Sequence, residues 1–297
     1  MASKDWQYSC QDCLIAFPAR DCISLSLVGV FDSGVGGLSI LDEALRQLPG
    51  HDYIYLADSA NAPYGEKSSE WIAARSLSLC QYLAQANCDA IVVACNTATA
   101  EAIKHIRAQV NIPVVGVEPG IKPAAMQSHN GVVGVLATEA TLKSDKFNAL
   151  LATLPSECRF IKQAGAGLVP LIEAGKADSE ETLDLLAKHL EPIQDAGSDT
   201  LVLGCTHYPF LRKAIRKLLG DSITLIDTSD AVVRQLKRQL ETLEQSKKFA
   251  NSSKQEHGAV RFISSKDDVA LRNMAQDLMR SDLQLHDVSS TPLELVE

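Results

Sequence analysis

The most constraining feature of this sequence is that it says one thing twice. Ile91-Val-Val-Ala-Cys95-Asn-Thr97 is matched by Leu201-Val-Leu-Gly-Cys205-Thr-His207, with the two cysteines 110 positions apart. Each segment is an apolar run, a small residue, a cysteine and two polar residues. Two further blocks recur at nearly the same spacing. Gly29-Val-Phe-Asp-Ser33 pairs with Gly134-Val-Leu-Ala-Thr138, and Val117-Glu118 pairs with Ile226-Asp227. A repeat of this length implies two related structural units in one chain.

The pattern around the repeat gives the fold class. Short β-branched runs (Leu27–Phe31, Tyr53–Leu56, Ala90–Val93, Val114–Val117, Val132–Leu136, Arg159–Ile161, Thr200–Leu203, Ile223–Ile226 and Val260–Ile263) alternate with amphipathic stretches such as Leu38–Leu48, Glu70–Ala86, Thr97–Val110, Thr182–Ile193, Phe210–Leu219 and Ala231–Leu243. Apolar runs separated by helices read as parallel strands covered on both faces. The expectation is α/β: two similar open parallel-sheet domains related by pseudo-two-fold symmetry, with a site in the cleft between them. The first domain is expected over 27–118 plus 228–297 and the second over 119–227. Residues 1–26, irregular and cysteine-containing, read as an N-terminal arm. Glu244–Gly258, rich in Ser, Lys and Gln, reads as a linker before a last strand and helix.

Composition narrows the partners. The net charge is −9, with no long Lys/Arg cluster and 5% aromatics, which speaks against nucleic acid as a partner. No apolar run approaches the ~18 residues of a membrane helix, and the first thirty residues do not read as a secretory signal. Eight cysteines in 297 residues are too sparse for a disulfide scaffold and suit a reduced, cytoplasmic setting.

In open parallel sheets, ligands bind beyond the carboxyl ends of the strands. Asp32-Ser33, Cys95-Asn96-Thr97, Thr138 and Cys205-Thr206-His207 all fall at such ends. A lone buried cysteine is usually a small hydrophobe, and Cys80, Cys88 and Cys158 take that reading. Cys95 and Cys205 differ, because both follow a strand and sit beside a helix start, where backbone amides favour a thiolate. Metal ligation is the rival for these two, yet His207 alone stands near and no second thiol lies at metal spacing, so no metal is expected. Cys10-Gln-Asp-Cys13 with Cys22 looks like half a metal site lacking its fourth ligand. Asp32-Ser-Gly-Val-Gly-Gly-Leu38 fits neither the dinucleotide fingerprint nor the P-loop. It reads as a tight turn, either purely structural or offering amides to a small anion such as a carboxylate. Tyr64, in Asn61-Ala-Pro-Tyr-Gly65, is either a surface aromatic or part of the crevice mouth. His207 is either a structural histidine or the acid–base neighbour of Cys205.

Two thiols facing one carbon suit inversion of a stereocentre. One thiolate removes the α-hydrogen, and the opposing thiol delivers a proton to the other face. The roles reverse for the mirror-image substrate, which accounts for a duplicated site. No motif points to PLP, a nicotinamide or a metal, so no cofactor is expected.

These residues carry a family resemblance. The sequence resembles glutamate racemase, the cofactor-independent two-cysteine enzyme supplying D-glutamate for peptidoglycan and so for cell shape, from Val28 to about Leu278. The carrying motifs are Phe31-Asp-Ser-Gly-Val-Gly-Gly37, Asp58 with Pro63-Tyr-Gly65, Ala94-Cys-Asn-Thr97, Thr138 with Thr141-Leu-Lys-Ser144, Val169-Pro-Leu-Ile-Glu173 and Gly204-Cys-Thr-His-Tyr-Pro209. The resemblance implies that Cys95 serves the D-enantiomer with help from Asp32, and Cys205 the L-enantiomer with help from His207. Glu173 would be a further acid near the second thiol. Substrate would be held by Asp32, Ser33, Tyr64, Gly65, Asn96, Thr97, Thr138, Thr206 and His207. One departure stands out: Ala164-Gly-Ala-Gly167 occupies a place where the family often has Cys-Pro. Family members differ in dimer arrangement, so the resemblance leaves a homodimer open. Some carry an extension linked to activation by UDP-N-acetylmuramoyl-alanine, a role the N-terminal arm would have to fill without a readable sugar-nucleotide motif.

Two other readings stand beside this one. An aspartate or hydantoin racemase would share the thiol pair. A non-catalytic small-acid binding protein would share the crevice but has no need of a duplicated cysteine.

Overall fold

The computed structural model describes residues 26–247, 258–266, 269–278 and 285–290. The arm, its Cys10/Cys13/Cys22 group and most of the expected linker lie outside the described residues.

The elements run β1 (Leu27–Asp32), α1 (Leu38–Gln47), β2 (Asp52–Ala57), α2 (Ser69–Gln85), β3 (Ala90–Val93), α3 (Asn96–Gln109), β4 (Val114–Gly116) and α4 (Ile121–Gln127). They continue with β5 (Val132–Ala137), α5 (Glu139–Lys143), α6 (Asp145–Leu151), β6 (Arg159–Ala164), α7 (Leu168–Glu173), α8 (Glu180–Asp195), β7 (Thr200–Gly204), α9 (Arg212–Leu219) and β8 (Thr224–Ile226). The chain closes with α10 (Ser229–Lys247), β9 (Val260–Ser264), α11 (Val269–Leu278) and β10 (Leu285–Ser290).

Two parallel sheets result, ordered β10-β9-β2-β1-β3-β4 and β6-β5-β7-β8. The α/β expectation of two open parallel-sheet domains is met. The repeat is visible in the connectivity: β2-β1-β3-β4 of the first sheet has the same order as β6-β5-β7-β8 of the second. β9 pairs with β2 through Tyr53↔Val260 and its neighbours, so the C-terminal strands extend the first sheet.

The period-2 alternation of strand side chains sorts the core. Val28, Val30, Tyr53, Tyr55 and Val92 share one buried cluster with Leu38 and Leu41 of α1 and Leu236 and Leu240 of α10. Their neighbours Leu27, Phe31, Ile54, Leu56, Ile91 and Val93 face the opposite cluster, with Leu79 and Leu83 of α2 and Ile103 and Ile106 of α3. In the second sheet, Val133, Val135 and Val202 meet Ile121 of α4 and Phe147 of α6. Leu136, Leu201 and Leu203, with Leu186, Leu190 and Ile193 of α8, belong to the same cluster as α1 and α10. One apolar core therefore runs across both sheets.

The structure departs from the sequence reading at element edges. The stretch from Phe210 opens as a 3-10 turn, Tyr208–Leu211, because Pro209 sits at its start. α10 runs to Lys247, into the expected linker. β10 carries Leu-His-Asp-Val-Ser-Ser, too polar to be read as a covered strand, and was not expected.

Gly29 and Gly134, equivalent in the repeat, each lie in a central strand beneath a covering helix. A Cβ on Gly134 would come within 2.5 Å of Ile193 Cγ2, whereas one on Gly29 would meet the flexible tip of Leu83 at 3.0 Å. We expect Gly134→Ala to lower unfolding free energy by about 1–3 kcal/mol in urea titrations, and Gly29→Ala to cost less. Equal effects would mean that helix approach is not what excludes a side chain there.

Candidate active site

In each sheet the chain reverses its direction of winding between two adjacent strands, β1 and β3 in one and β5 and β7 in the other. Such switch points open a crevice at the carboxyl ends of the strands. Asp32-Ser33 ends β1 and Cys95-Asn96-Thr97 follows β3. Thr138 follows β5 and Cys205-Thr206-His207 follows β7. All nine residues are in place at the two switch points.

Contacts between the two halves bring these ends together. Thr206 donates its hydroxyl to Asp32 Oδ2 at 3.0 Å. Thr97 and Thr138 share a hydroxyl–hydroxyl bond of 3.0 Å. Ser39, in the first turn of α1, donates to the Thr206 carbonyl at 3.2 Å. The Val35 amide donates to Glu173 Oε1 at 2.8 Å.

Cys95 is the N-cap of α3 and its Sγ accepts from the Ala98 amide at 3.4 Å. Burial, then the nearby Asp32 carboxylate, push this thiol up to about 12, against hydrogen bonds from Ser33 and Ala98. The charge of Cys205 also bears on Cys95, so the two sulfurs share one electrostatic environment. Both are buried. Asp32 is itself raised by burial, partly countered by His207, the Gly34 amide and Thr206.

On the other side, Cys205 Sγ lies 3.7 Å from His207 Nδ1. The far ring nitrogen, Nε2, meets Glu173 Oε1 at 2.5 Å. Burial works against a charged ring, but Cys205 and Glu173 outweigh it and hold His207 well above the ordinary histidine range. Burial likewise opposes the Glu173 carboxylate, and the bonds from His207 and Val35 with the charge of Lys266 hold it low. Glu173 Oε2 and Asn96 Nδ2 are buried without a hydrogen-bond partner among the described residues. Buried polar atoms of this kind are uncommon, and a bound ligand would satisfy them.

The glycine-rich turn does bind a carboxylate, but the carboxylate is the protein's own Glu173. The glycines are there for close approach: a Cβ on Gly34 would overlap Glu173, and one on Gly36 would lie 2.4 Å from His207 Nδ1. Tyr64 is not a surface aromatic. It is buried, and its hydroxyl donates to Asp58 Oδ2 at 2.7 Å. Gly65 lies against Thr138, where a Cβ would make ordinary contact at 3.4 Å. The Ala164–Gly167 departure is absorbed by close packing, since Tyr208 donates to the Gly165 carbonyl at 3.2 Å. α7 then starts after Gly167 and delivers Glu173 at its last position.

The sequence reading did not find the Val35 amide, Ser39, Arg75 or Lys266. The first acts through its backbone, and no motif marks the other three. Cys80 is buried, and its thiol is pushed up by burial alone. Cys158 is half-buried. Among the described residues no group of three or more His, Cys, Asp or Glu is placed to hold a metal ion. None of the described helices is long and apolar enough to cross a membrane.

The Asp/Glu/Hydantoin racemase family model matches residues 31–236. The chain is 52% identical over 252 residues to glutamate racemase of Ralstonia nicotianae, covering 85% of this chain and 89% of the relative. It is 50% identical to that of Cupriavidus pinatubonensis, covering 89% and 96%. Among solved structures, Escherichia coli glutamate racemase in complex with L-glutamate and the activator UDP-MurNAc-ala aligns with a TM-score of 0.75 and 35% identity, covering 85% of this chain and 95% of that one. The Bacillus anthracis isoform RacE1 aligns at 0.74 and 30%, covering 90% and 99%. With crevice, repeat and relatives in agreement, this chain belongs to the glutamate racemase family of amino-acid isomerases.

Proposed function

We propose that the chain interconverts L- and D-glutamate by a two-thiol mechanism without a cofactor, Cys95 acting on the D-enantiomer and Cys205 on the L-enantiomer. The observation that carries this reading is the Cys205–His207–Glu173 line in one half, with Cys95 beside Asp32 at the equivalent strand end in the other.

An ordinary thiol, pKa ~8.5, costs ~2 kcal/mol to ionise at neutral pH. At Cys95, raised to about 12, the cost is on the order of 7 kcal/mol. Cys95 therefore rests as a thiol, and its proton must leave as it attacks. Asp32 is the nearby carboxylate that can take it. His207, held charged by Cys205 and Glu173 against burial, gives Cys205 a proton donor and a counter-charge in one ring. Starting from D-glutamate, the Cys95 thiolate takes the α-proton and the bond's electron pair stays on the α-carbon. The Cys205 thiol then protonates the opposite face, and the reverse reaction exchanges the roles. Ser33, Asn96, Thr97, Thr138 and Thr206, with the Tyr64–Gly65 turn, would hold the carboxylates and the amine. Buried hydroxyls and amides would stabilise the carbanion more strongly than water does. D-Glutamate made this way would supply peptidoglycan synthesis, testable by rescue of a bacterial D-glutamate auxotroph. Activation by UDP-N-acetylmuramoyl-alanine, proposed on the likeness to the Escherichia coli enzyme, requires turnover to rise when that precursor is added. Unchanged turnover removes it.

Cys95→Ala and Cys205→Ala are each expected to abolish racemisation with the far-UV circular dichroism intact; full activity in either would overturn the two-thiol reading. In deuterated buffer, product formed from either enantiomer should carry deuterium at the α-carbon, and product retaining its original hydrogen throughout would contradict exchange through thiols.

The Glu173–His207 pair also sets a pH dependence. His207 is raised from 6.5, so its share of stability is complete below that value and fades as pH climbs through the raised one. Glu173 is lowered from 4.5, so its share is complete above that value and fades as pH falls. Glu173→Gln should therefore lower the urea midpoint most between about pH 4.5 and 6.5, with the difference from wild type narrowing on both sides. By NMR, the same substitution should bring the His207 titration down toward the ordinary range. A titration that does not move would show that the carboxylate is not what holds the ring charged.

A further inference from the structure

Asp58 follows β2 immediately beside the Asp32 strand end, with its amide bonded to the Asp32 carbonyl at 2.9 Å. It is fully buried. Its carboxylate gathers Arg75 Nε at 2.8 Å, Arg75 Nη2 at 2.6 Å, the Tyr64 hydroxyl at 2.7 Å and the Asn61 amide at 3.1 and 3.2 Å. Arg75 reaches it from the middle of α2. A buried ion pair of this kind is a weak source of stability, since desolvation offsets the attraction. What it does supply is geometry, because a two-toothed guanidinium–carboxylate pair fixes both partners in one plane.

The group held by that geometry is Tyr64. Its ring is seated edge-on to Trp71, with centroids 5.3 Å apart, and tilted against Phe31 at 6.2 Å. It belongs to the same buried cluster as Cys95, and its hydroxyl feels the Cys95 charge. With the hydroxyl committed to Asp58, the tyrosine acts through its ring and backbone. It opens the 3-10 turn Tyr64–Glu66, which places Gly65 against Thr138 of the opposite half. Thr138 is in turn bonded to Thr97, two residues beyond Cys95. The line from α2 through Asp58 and Tyr64 to Thr138 thus walls the crevice on the Cys95 side and has no counterpart contact with Cys205 or His207 among the bonds described.

We infer that Asp58 and Arg75 are positioning residues that act through Tyr64 on the Cys95 face of the reaction alone. This rests on the two-thiol reading and adds a direction to it. Because L- and D-glutamate have equal free energies, any loss in kcat/KM must be the same from both sides, so rates alone cannot reveal a one-sided defect. Isotope effects can. Slowing the Cys95 step makes proton removal from D-glutamate more rate-limiting and removal from L-glutamate less so.

The experiment compares wild type, Asp58→Asn, Arg75→Lys, Arg75→Ala and Tyr64→Phe, with α-deuterated D- and L-glutamate as separate substrates. Asp58→Asn and Arg75→Ala should lose roughly ten- to a hundredfold in kcat/KM, the scale of a small misplacement of reacting groups. The α-deuterium isotope effect should rise from the D side and fall from the L side. Arg75→Lys, which keeps the charge without the fork, should fall between Arg75→Ala and wild type. Tyr64→Phe removes a single hydroxyl and should show the same one-sided shift at smaller amplitude. It decides the question if the charged-pair variants do not fold. Isotope effects that stay unchanged, or move alike from both sides, overturn the inference while leaving the two-thiol reading intact. If wild type shows no primary isotope effect with either substrate and Cys95→Ala retains activity, the two-thiol reading itself has failed.

Discussion

One carboxylate oxygen ties this molecule together. Glu173 Oε1 receives His207 Nε2 from its own half and the Val35 amide from the other. The first contact adds to the pull of Cys205 in keeping the imidazole charged. The second presses the glycine-rich turn after β1 onto the residues after β7. Both need Gly34 and Gly36 to carry no side chain, because a Cβ at either would strike Glu173 or His207. Docking of the halves and protonation of the candidate acid thus depend on the same atom. Part of the cost of burying these charges is met only while the crevice is assembled, because Asp32 accepts from Thr206 and Glu173 from the Val35 amide across it.

The two sides of the crevice are built alike in backbone and differently in chemistry. β1 and β5, and likewise β3 and β7, occupy equivalent places in their sheets. Yet Asp32 stands on one side, and the His207–Glu173 pair on the other. In the proposed mechanism, a carboxylate raised by burial and an imidazolium beside a carboxylate would meet the same need, moving a proton to and from sulfur, with different chemistry. A duplicated scaffold is free to do this, because the sheet fixes only where a strand ends and not which side chain follows.

Much of this was legible in the chain. The Cys95 and Cys205 blocks marked equivalent strand ends, and their apolar runs fixed a parallel α/β class, because strands covered on both faces leave a continuous apolar signature. Edges read less well. Pro209 turned the start of a helix into a 3-10 segment, and the polar β10 gave no periodic signal at all. The candidate site was legible where its side chains stand next to a motif, as at Asp32 and His207. It was opaque where function lies in backbone or distant partners: the Val35 amide, the Arg75 guanidinium and the charge of Lys266 carry no local pattern. The glycine turn was half read, since a carboxylate was one of its two readings and the owner of that carboxylate was not foreseen. Tyr64 was left open between two readings because its surroundings, Phe31, Trp71 and Asp58, converge only in three dimensions.

The path of the chain between the sheets has a mechanical meaning. It leaves the first sheet between β4 and β5 and returns between β8 and α10, which packs back on α1, β3 and β4. The four-strand sheet is therefore hung from two strands of backbone rather than one, like a door on a pair of pins. Two crossings leave the halves fewer ways to move against each other than one would, and the apolar core they share resists separation further.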